Sequence, residues 1–124
     1  MTRNRTTARK AGSTFERLIA DTLAEHVDDR IDRRVKHGSK DRGDIGGVRL
    51  TPALRGGRVV LECKDVAILQ LGAWANEAEL ERRHDDAAVG VVVHKRRGHA
   101  AGLDQWVTLT VRDLVALLTG ERPE

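Results

Sequence analysis

Three residues, Asp44, Glu62 and Lys64, have the types and the spacing that metal-assisted chemistry on a phosphate requires. Asp44 starts one predicted strand, and Glu62 and Lys64 end the next. Because successive strand residues point to opposite faces, Glu62 and Lys64 share a face and Cys63 points the other way. Asp44 and Glu62 can then meet across the paired strands. Two carboxylates beside a lysine can hold a divalent metal and an attacking water against a phosphate.

The chemistry of each group fits this interpretation. Carboxylates hold Mg²⁺, which keeps several waters in its shell. The metal acidifies one water and neutralises the charge that builds on the phosphate. Lys64 supplies a compact positive charge and, depending on its pKa, can also handle a proton.

Each residue alone also has a structural interpretation. Asp44 suits a cap at a strand start, and Glu62 with Lys64 suits an exposed pair on a strand face. Asp41 is an alternative ligand to Asp44, in a loop that leaves its orientation open. Cys63 fits core packing. The combination of the acids and the lysine indicates a catalytic site.

Composition limits the class of protein. The chain has 124 residues, 40% of them hydrophobic and 33% charged, which suits one globular domain with a modest core. Its net charge of +3 is compatible with a nucleic-acid partner. It has one cysteine, no apolar stretch long enough to span a membrane and no secretory signal, so we expect a cytoplasmic protein.

The apolar periodicity predicts the elements that position these residues. We expect residues 1–11 to form a basic flexible arm and residues 12–124 to form a single domain. A first helix opens at Ser13 or Thr14 and carries Glu16 in its first turn. The remaining predicted helices cover residues 73–86 and 110–119. The predicted strands are residues 30–36, 44–50, 58–64, 88–95 and 106–110.

The predicted order is α-β-β-β-α-β-β-α, which indicates the α/β class. Three antiparallel strands are followed by a crossover helix and a strand that joins the sheet in parallel. We therefore expect a mixed central sheet flanked by helices on both faces.

This arrangement resembles the PD-(D/E)XK nuclease pattern. The resemblance is carried by Glu16 on the first helix, by Gly43-Asp44 at a strand start and by Glu62-Cys63-Lys64 at the end of the next strand. Within that superfamily the chain is most similar to archaeal-type and phage Holliday junction resolvases, which have a Gly-Ser loop before the aspartate, here Gly38-Ser39. The resemblance covers roughly residues 12–95 and implies a restriction-endonuclease-like core.

The resemblance also implies roles for individual residues. Asp44 and Glu62 would ligate Mg²⁺ or Mn²⁺, and Lys64 would orient or activate the attacking water. Glu16 would support a metal directly or through water, and Ser39 would lie near the cleaved strand. Basic and polar residues are expected to line a DNA groove, although each alone fits a solvated surface residue: Arg9, Lys10, Lys36, Ser39, Lys40, Arg42, Lys95, Arg96 and Arg97.

The chain departs from the family pattern at two positions. The superfamily's proline before the aspartate is Gly43 here, as is common in resolvases. Many resolvases also place a glutamine on the helix after Glu-x-Lys. The nearest candidates are Gln70 and Glu77, and that position stays unassigned.

Three functions remain open at this point. The first is a structure-selective endonuclease that cleaves four-way DNA junctions as a homodimer, with the C-terminal helix or Trp106 at the interface. The second is a nuclease of the same fold with another DNA substrate, such as an exonuclease, flap or restriction-type enzyme. The third is a non-catalytic DNA-binding module. The Asp44, Glu62 and Lys64 set favours a nuclease over a module that only binds.

Overall fold

The structure is a computed structural model that describes residues 4–35, 38–50 and 57–124. Its helices are α1 (Arg5–His26), α2 (Leu71–His84) and α3 (Val111–Thr119). Its strands are β1 (Asp32–Arg33), β2 (Ile45–Gly46), β3 (Val59–Lys64), β4 (Val89–His94) and β5 (Trp106–Thr108). A short 3-10 helix, Gly102–Asp104, precedes β5. Within the described ranges, no helix is long and apolar enough to cross a membrane.

The five strands form one open sheet in the order β1-β2-β3-β4-β5. The β1–β2, β2–β3 and β4–β5 pairs are antiparallel, and β3 and β4 run parallel with Val59 beside Val89. Helix α2 connects the two parallel strands, as a parallel pair requires. The α/β class expected from the sequence is confirmed, with a mixed sheet.

Helices pack on both faces of the sheet, over its two central strands. On one face, Leu61 and Cys63 of β3 lie in a core cluster with Phe15 of α1 and Ala116 of α3. On the other face, Val92 of β4 packs with Trp74 and Ala78 of α2. Alternate residues of β3 therefore face opposite helices, and the even-numbered ones, including Glu62, face α2.

Helix α1 begins earlier than the sequence analysis expected. Asn4 is its N-cap, and the Asn4 side chain accepts a hydrogen bond from the Thr7 amide at 2.8 Å. Residues 5–11 are therefore helical, and the expected start at Ser13 or Thr14 is wrong. The physical reason is that this stretch lacks proline and is rich in alanine, arginine and lysine, which extend a helix readily. Arg9 and Lys10 lie exposed on its surface.

The first two strands are shorter than expected. Strands over residues 30–36 and 44–50 were expected, but β1 and β2 have two residues each. Directly after β2 the backbone turns at Gly47, whose φ is +87°. Beyond this turn, an isolated bridge pairs Arg49 with Arg58, the residue before β3. Residues 51–56, between the strands expected over residues 44–50 and 58–64, and Lys36 lie outside the described residues.

Candidate active site

The pairing of β2 with β3 brings Asp44 and Glu62 together. In the antiparallel register that places Ile45 beside Leu61, Asp44 lies opposite Glu62. The Asp44 amide donates to the Leu61 carbonyl at 2.9 Å, and Asp44 Oδ2 accepts from the Cys63 amide at 2.8 Å. These two bonds fix the carboxylate at the end of the ladder, so Asp44 caps the strand and also faces Glu62.

Glu62 is a buried carboxyl among other carboxyls. Its side chain is only 6% exposed and shares hydrogen bonds with the side chains of Asp44 and Glu81. Burial, followed by the hydrogen bond and the negative charge of Asp44, raises the pKa of Glu62 far above its usual value. Without a metal, Glu62 therefore keeps its proton at neutral pH.

Lys64 supplies the positive charge of the site. Its Nζ lies 2.8 Å from Glu77 Oε2 and 3.8 Å from Glu62 Oε2. Burial alone would lower the pKa of Lys64, but the hydrogen bond to Glu77 and the negative charge of the surrounding carboxylates outweigh it, and the pKa is raised. Lys64 is therefore an ammonium at neutral pH, which suits charge stabilisation better than proton abstraction.

Helix α2 adds two acids that face the same point. One oxygen each of Glu62, Glu77 and Glu81 lie within 4.8 Å of one another. Glu77 and Glu81 are four residues apart, so they lie on the same face of α2. Burial raises the pKa of Glu81 to about 7. The pKa of Glu77 is lowered, because hydrogen bonds from Lys64 and Glu62 outweigh the effect of its own burial.

Glu81 was not among the residues predicted for the site, and Glu77 was only one of two candidates for an unassigned position. Glu81, however, follows Trp74 and Ala78 at helical spacing, and all three are buried. An acid in line with the apolar residues of a helix was the signal that could have identified it.

Glu16 belongs to a different helix from Glu77 and Glu81. It follows Phe15 on α1, and Phe15 lies in the core on the opposite face of the sheet. Glu16 Oε1 accepts a hydrogen bond from Arg33 Nη2 at 3.2 Å. Its charge contributes to the raised pKa of Cys63, which is due first to burial of that thiol. Glu16 is not part of the group formed by Glu62, Glu77 and Glu81.

The loop before Asp44 borders the site and is anchored to α2. Asp41 Oδ1 accepts a hydrogen bond from the Gly43 amide at 2.9 Å, and the Asp41 carbonyl bonds to His84 Nδ1 at 2.8 Å. The carboxylate of Asp41 therefore has a structural role in the turn. The loop lines an open cavity of about 600 Å³, whose lining includes the exposed residues Ser39, Lys40 and Arg42.

Gly43 has a backbone conformation that requires glycine. Its φ is +96°, whereas the proline ring fixes φ near −65°, so proline cannot occupy this position. A Cβ on Gly43 would lie 2.8 Å from Val60 Cγ1 and 3.1 Å from the Leu61 carbonyl oxygen. The chain can approach β3 this closely only at a glycine.

The basic residues after β4 have partners within the molecule. Lys95 Nζ donates to the His99 carbonyl at 2.7 Å, and the Arg96 guanidinium stacks 4.4 Å from the centre of the Trp106 ring. Arg97 lies 3.4 Å from Asp65. These contacts orient the basic side chains on the surface next to the end of β3.

Cys63 and His94 have packing roles. Cys63 is buried on the face opposite Glu62, as expected. His94 Nε2 lies 2.8 Å from Thr108 Oγ1, and its ring lies 5.6 Å from that of Trp74. Burial lowers the pKa of His94, so the ring is neutral at pH 7.

None of the protein-family models, curated proteins or solved structures matched the chain.

Proposed function

We propose that this protein is a metal-dependent endodeoxyribonuclease in which Asp44, Glu62 and Lys64 are the catalytic residues. The observation that carries the proposal is their convergence at the β2–β3 junction. Asp44 and Glu62 share a hydrogen bond, and the Lys64 ammonium lies 3.8 Å from Glu62. The proposal includes the restriction-endonuclease-like core implied by the resemblance to PD-(D/E)XK nucleases.

The residues present fit a divalent cation. Glu62 and Glu81 are buried, and Asp44 and Glu77 crowd them, with the single ammonium of Lys64 beside the group. Such a concentration of carboxyls is tolerated without metal only if Glu62 keeps a proton. Among the described residues, Glu81 Oε1 is buried without a hydrogen-bond partner. Mg²⁺, or Mn²⁺ in its place, prefers oxygen ligands of this kind.

Each residue would have a distinct task. Asp44, held by the Cys63 amide, and Glu62 would hold the metal, which when bound supplies an acidified water and neutralises charge on the phosphate. The Lys64 ammonium would stabilise negative charge that develops beside the nucleophile. Ser39 and the basic residues of the loop before Asp44 would contact the DNA backbone, which supplies most of the affinity of such interfaces.

We propose a four-way DNA junction as the substrate, on the basis of the resemblance to junction resolvases. Two matched cuts call for two active sites related by a two-fold axis, and hence for a homodimer. Exposed apolar side chains on α3 and β5 favour an interface there. These residues are Val111, Leu114, Leu118 and Trp106.

The test is a comparison of DNA shapes made from the same sequences. A synthetic four-way junction, a linear duplex, a single strand and a splayed-arm DNA are incubated with the protein and Mg²⁺, with Asp44→Asn as the inactive control. We expect paired nicks in the junction alone and none with the control. Cleavage of the linear or splayed DNA would retain the active site but reject the junction. No metal-dependent cleavage of any of them would reject the nuclease.

A further inference from the structure

We propose that Glu81 of α2 is a cation ligand, and that it forms a divalent-cation site with Glu62 and Glu77 in place of the contribution expected from Glu16. This deepens the proposed function, because Glu62 is shared with the catalytic set. It assigns the acid that completes the site to the helix after β3 and not to the first helix of the chain.

The first observation is the distance between the carboxylate oxygens. One oxygen each of Glu62, Glu77 and Glu81 lie within 4.8 Å of one another. Oxygens around a six-coordinate Mg²⁺ with bonds of about 2.1 Å lie roughly 3 to 4 Å apart. A shortening of these separations by about 1 to 2 Å would therefore seat the ion. The Glu77 side chain, which is 45% exposed, has the freedom to supply that movement.

The second observation is independent of the first and concerns one atom. Glu81 is only 4% exposed, and its Oε1 has no hydrogen-bond partner among the described residues. Buried polar atoms almost always have a partner, so an unpaired carboxylate oxygen indicates a missing ligand. This atom lies 3.7 Å from the position that a Cβ on Gly43 would take. It therefore faces the turn that delivers Asp44 to the site.

The other acids of the molecule show what a structural role looks like. Glu79, on the same helix, pairs with Arg82 and Arg122. Glu16 is bonded to Arg33. Glu81 has no arginine or lysine partner in the part of the chain that the structure describes. It shares a hydrogen bond with the carboxyl of Glu62, and the negative charges of Asp41, Asp44 and Glu77 act on it. A bound cation would give this group the positive partner that the other acids already have.

The test measures cation binding without any DNA. Mn²⁺ affinity is measured by electron paramagnetic resonance for the wild type, Glu81→Gln and Glu77→Gln. Glu25→Gln is the matched control, because Glu25 is an exposed acid on α1 and the same charge is removed. We expect Glu81→Gln to weaken Mn²⁺ binding by about tenfold or more and Glu77→Gln by a smaller factor, since carboxylate count sets affinity. Glu25→Gln should bind as the wild type does.

The outcomes separate this inference from the proposed function. Wild-type Mn²⁺ affinity in Glu81→Gln overturns the site even if the protein cuts DNA. Loss of Mn²⁺ binding in Glu81→Gln, together with no cleavage of any DNA by the wild-type protein, supports the site and rejects the nuclease. Circular dichroism shows whether Glu81→Gln is folded. If Glu81→Gln is not folded, the test rests on Glu77→Gln, which changes a half-exposed position. Wild-type Mn²⁺ affinity in Glu77→Gln then overturns the three-carboxylate site.

Discussion

Replacing Glu62 by glutamine should stabilise the metal-free protein. Glu62 is buried, and its pKa is raised from an ordinary value of 4.5 to well above 7, chiefly by burial and then by Asp44. Above pH 4.5 the unfolded chain releases this proton while the folded protein keeps it. Stability therefore falls as pH rises, and the loss continues up to the pKa of the folded state.

The size of the effect follows from the pH interval. Each pH unit above 4.5 lowers the free energy of unfolding of the wild type by about 1.4 kcal/mol, so at pH 7 the free energy of unfolding has fallen by about 3 kcal/mol. Glutamine has the shape of the neutral acid and does not titrate. Its amide has two N–H donors for the neighbouring Asp44 and Glu81 carboxyls, whereas the protonated acid has a single O–H donor. Metal-free Glu62→Gln should therefore be more stable than the wild type by up to about 3 kcal/mol at pH 7.

Urea unfolding in EDTA at several pH values measures this difference. The two proteins should have nearly equal stability near pH 4.5, and the gap should widen steadily towards pH 8. Glu25→Gln, which removes an exposed acid, should show no such trend. With Mg²⁺ added, the wild type should gain stability and the variant little, because binding stabilises only the form that binds. A variant that is less stable than the wild type at pH 7 in EDTA would refute the reasoning.

Three further predictions concern other parts of the structure. Lys64→Met should lose DNA cleavage but keep Mn²⁺ affinity within about threefold, because an ammonium is not a metal ligand; loss of Mn²⁺ binding would contradict its role. Gly43→Ala should lower the free energy of unfolding by about 2 kcal/mol or more, since the new Cβ would meet Val60 at 2.8 Å. Gly38→Ala, with open space around it, should lower the free energy of unfolding by about 1 kcal/mol. Equal losses of the two variants in urea unfolding would be evidence against the clash. The pKa of Asp113 is lowered, because hydrogen bonds from the Gly90 amide, Arg122 and Thr110 outweigh the effect of burial, so the stability that this carboxylate contributes should be present above pH 3.8 and be lost as pH falls further. Asp113→Asn should be less stable than the wild type by about 2 kcal/mol at pH 7 and approach it at acidic pH. A stability difference that does not change with pH would contradict this.

The central elements could be predicted from the sequence because their patterns are strong. The valine-rich stretch expected over residues 88–95 is β4, Val89–His94, and the expected second helix over residues 73–86 is α2, Leu71–His84. In both cases burial on a defined face fixes the pattern. The expected alternation of β3 also holds, since Glu62 and Lys64 share one face and Cys63 takes the other.

The edges of the fold could not be predicted as well. The two-residue strand β1 depends on pairing with β2, which periodicity does not report. The early start of α1 depends on a single cap at Asn4, in a stretch without apolar periodicity. Local propensity competes with tertiary context at such positions, and element ends are set by individual hydrogen bonds.

The candidate site was predictable only in part. Asp44 and Glu62 could be paired from strand alternation and order alone. The burial of Glu81 could be inferred from its helical spacing after Trp74 and Ala78, but its contact with Glu62 could not, because that contact depends on how α2 packs on the sheet. Glu16 was placed by resemblance, and in the structure Arg33 is its hydrogen-bond donor. A prediction of contacts between distant elements requires the packing angle of the helix, and residue spacing in the sequence does not give that angle.

The measurement that tests the central claim most directly compares wild type and Glu62→Ala on a four-way junction with Mg²⁺. Cleavage and binding are measured side by side, by gel electrophoresis and by fluorescence anisotropy in Ca²⁺ or EDTA. We predict that Glu62→Ala loses cleavage and keeps junction binding within a few-fold of the wild type. Equal cleavage by both proteins, or binding by the wild type without any metal-dependent cleavage, would contradict it.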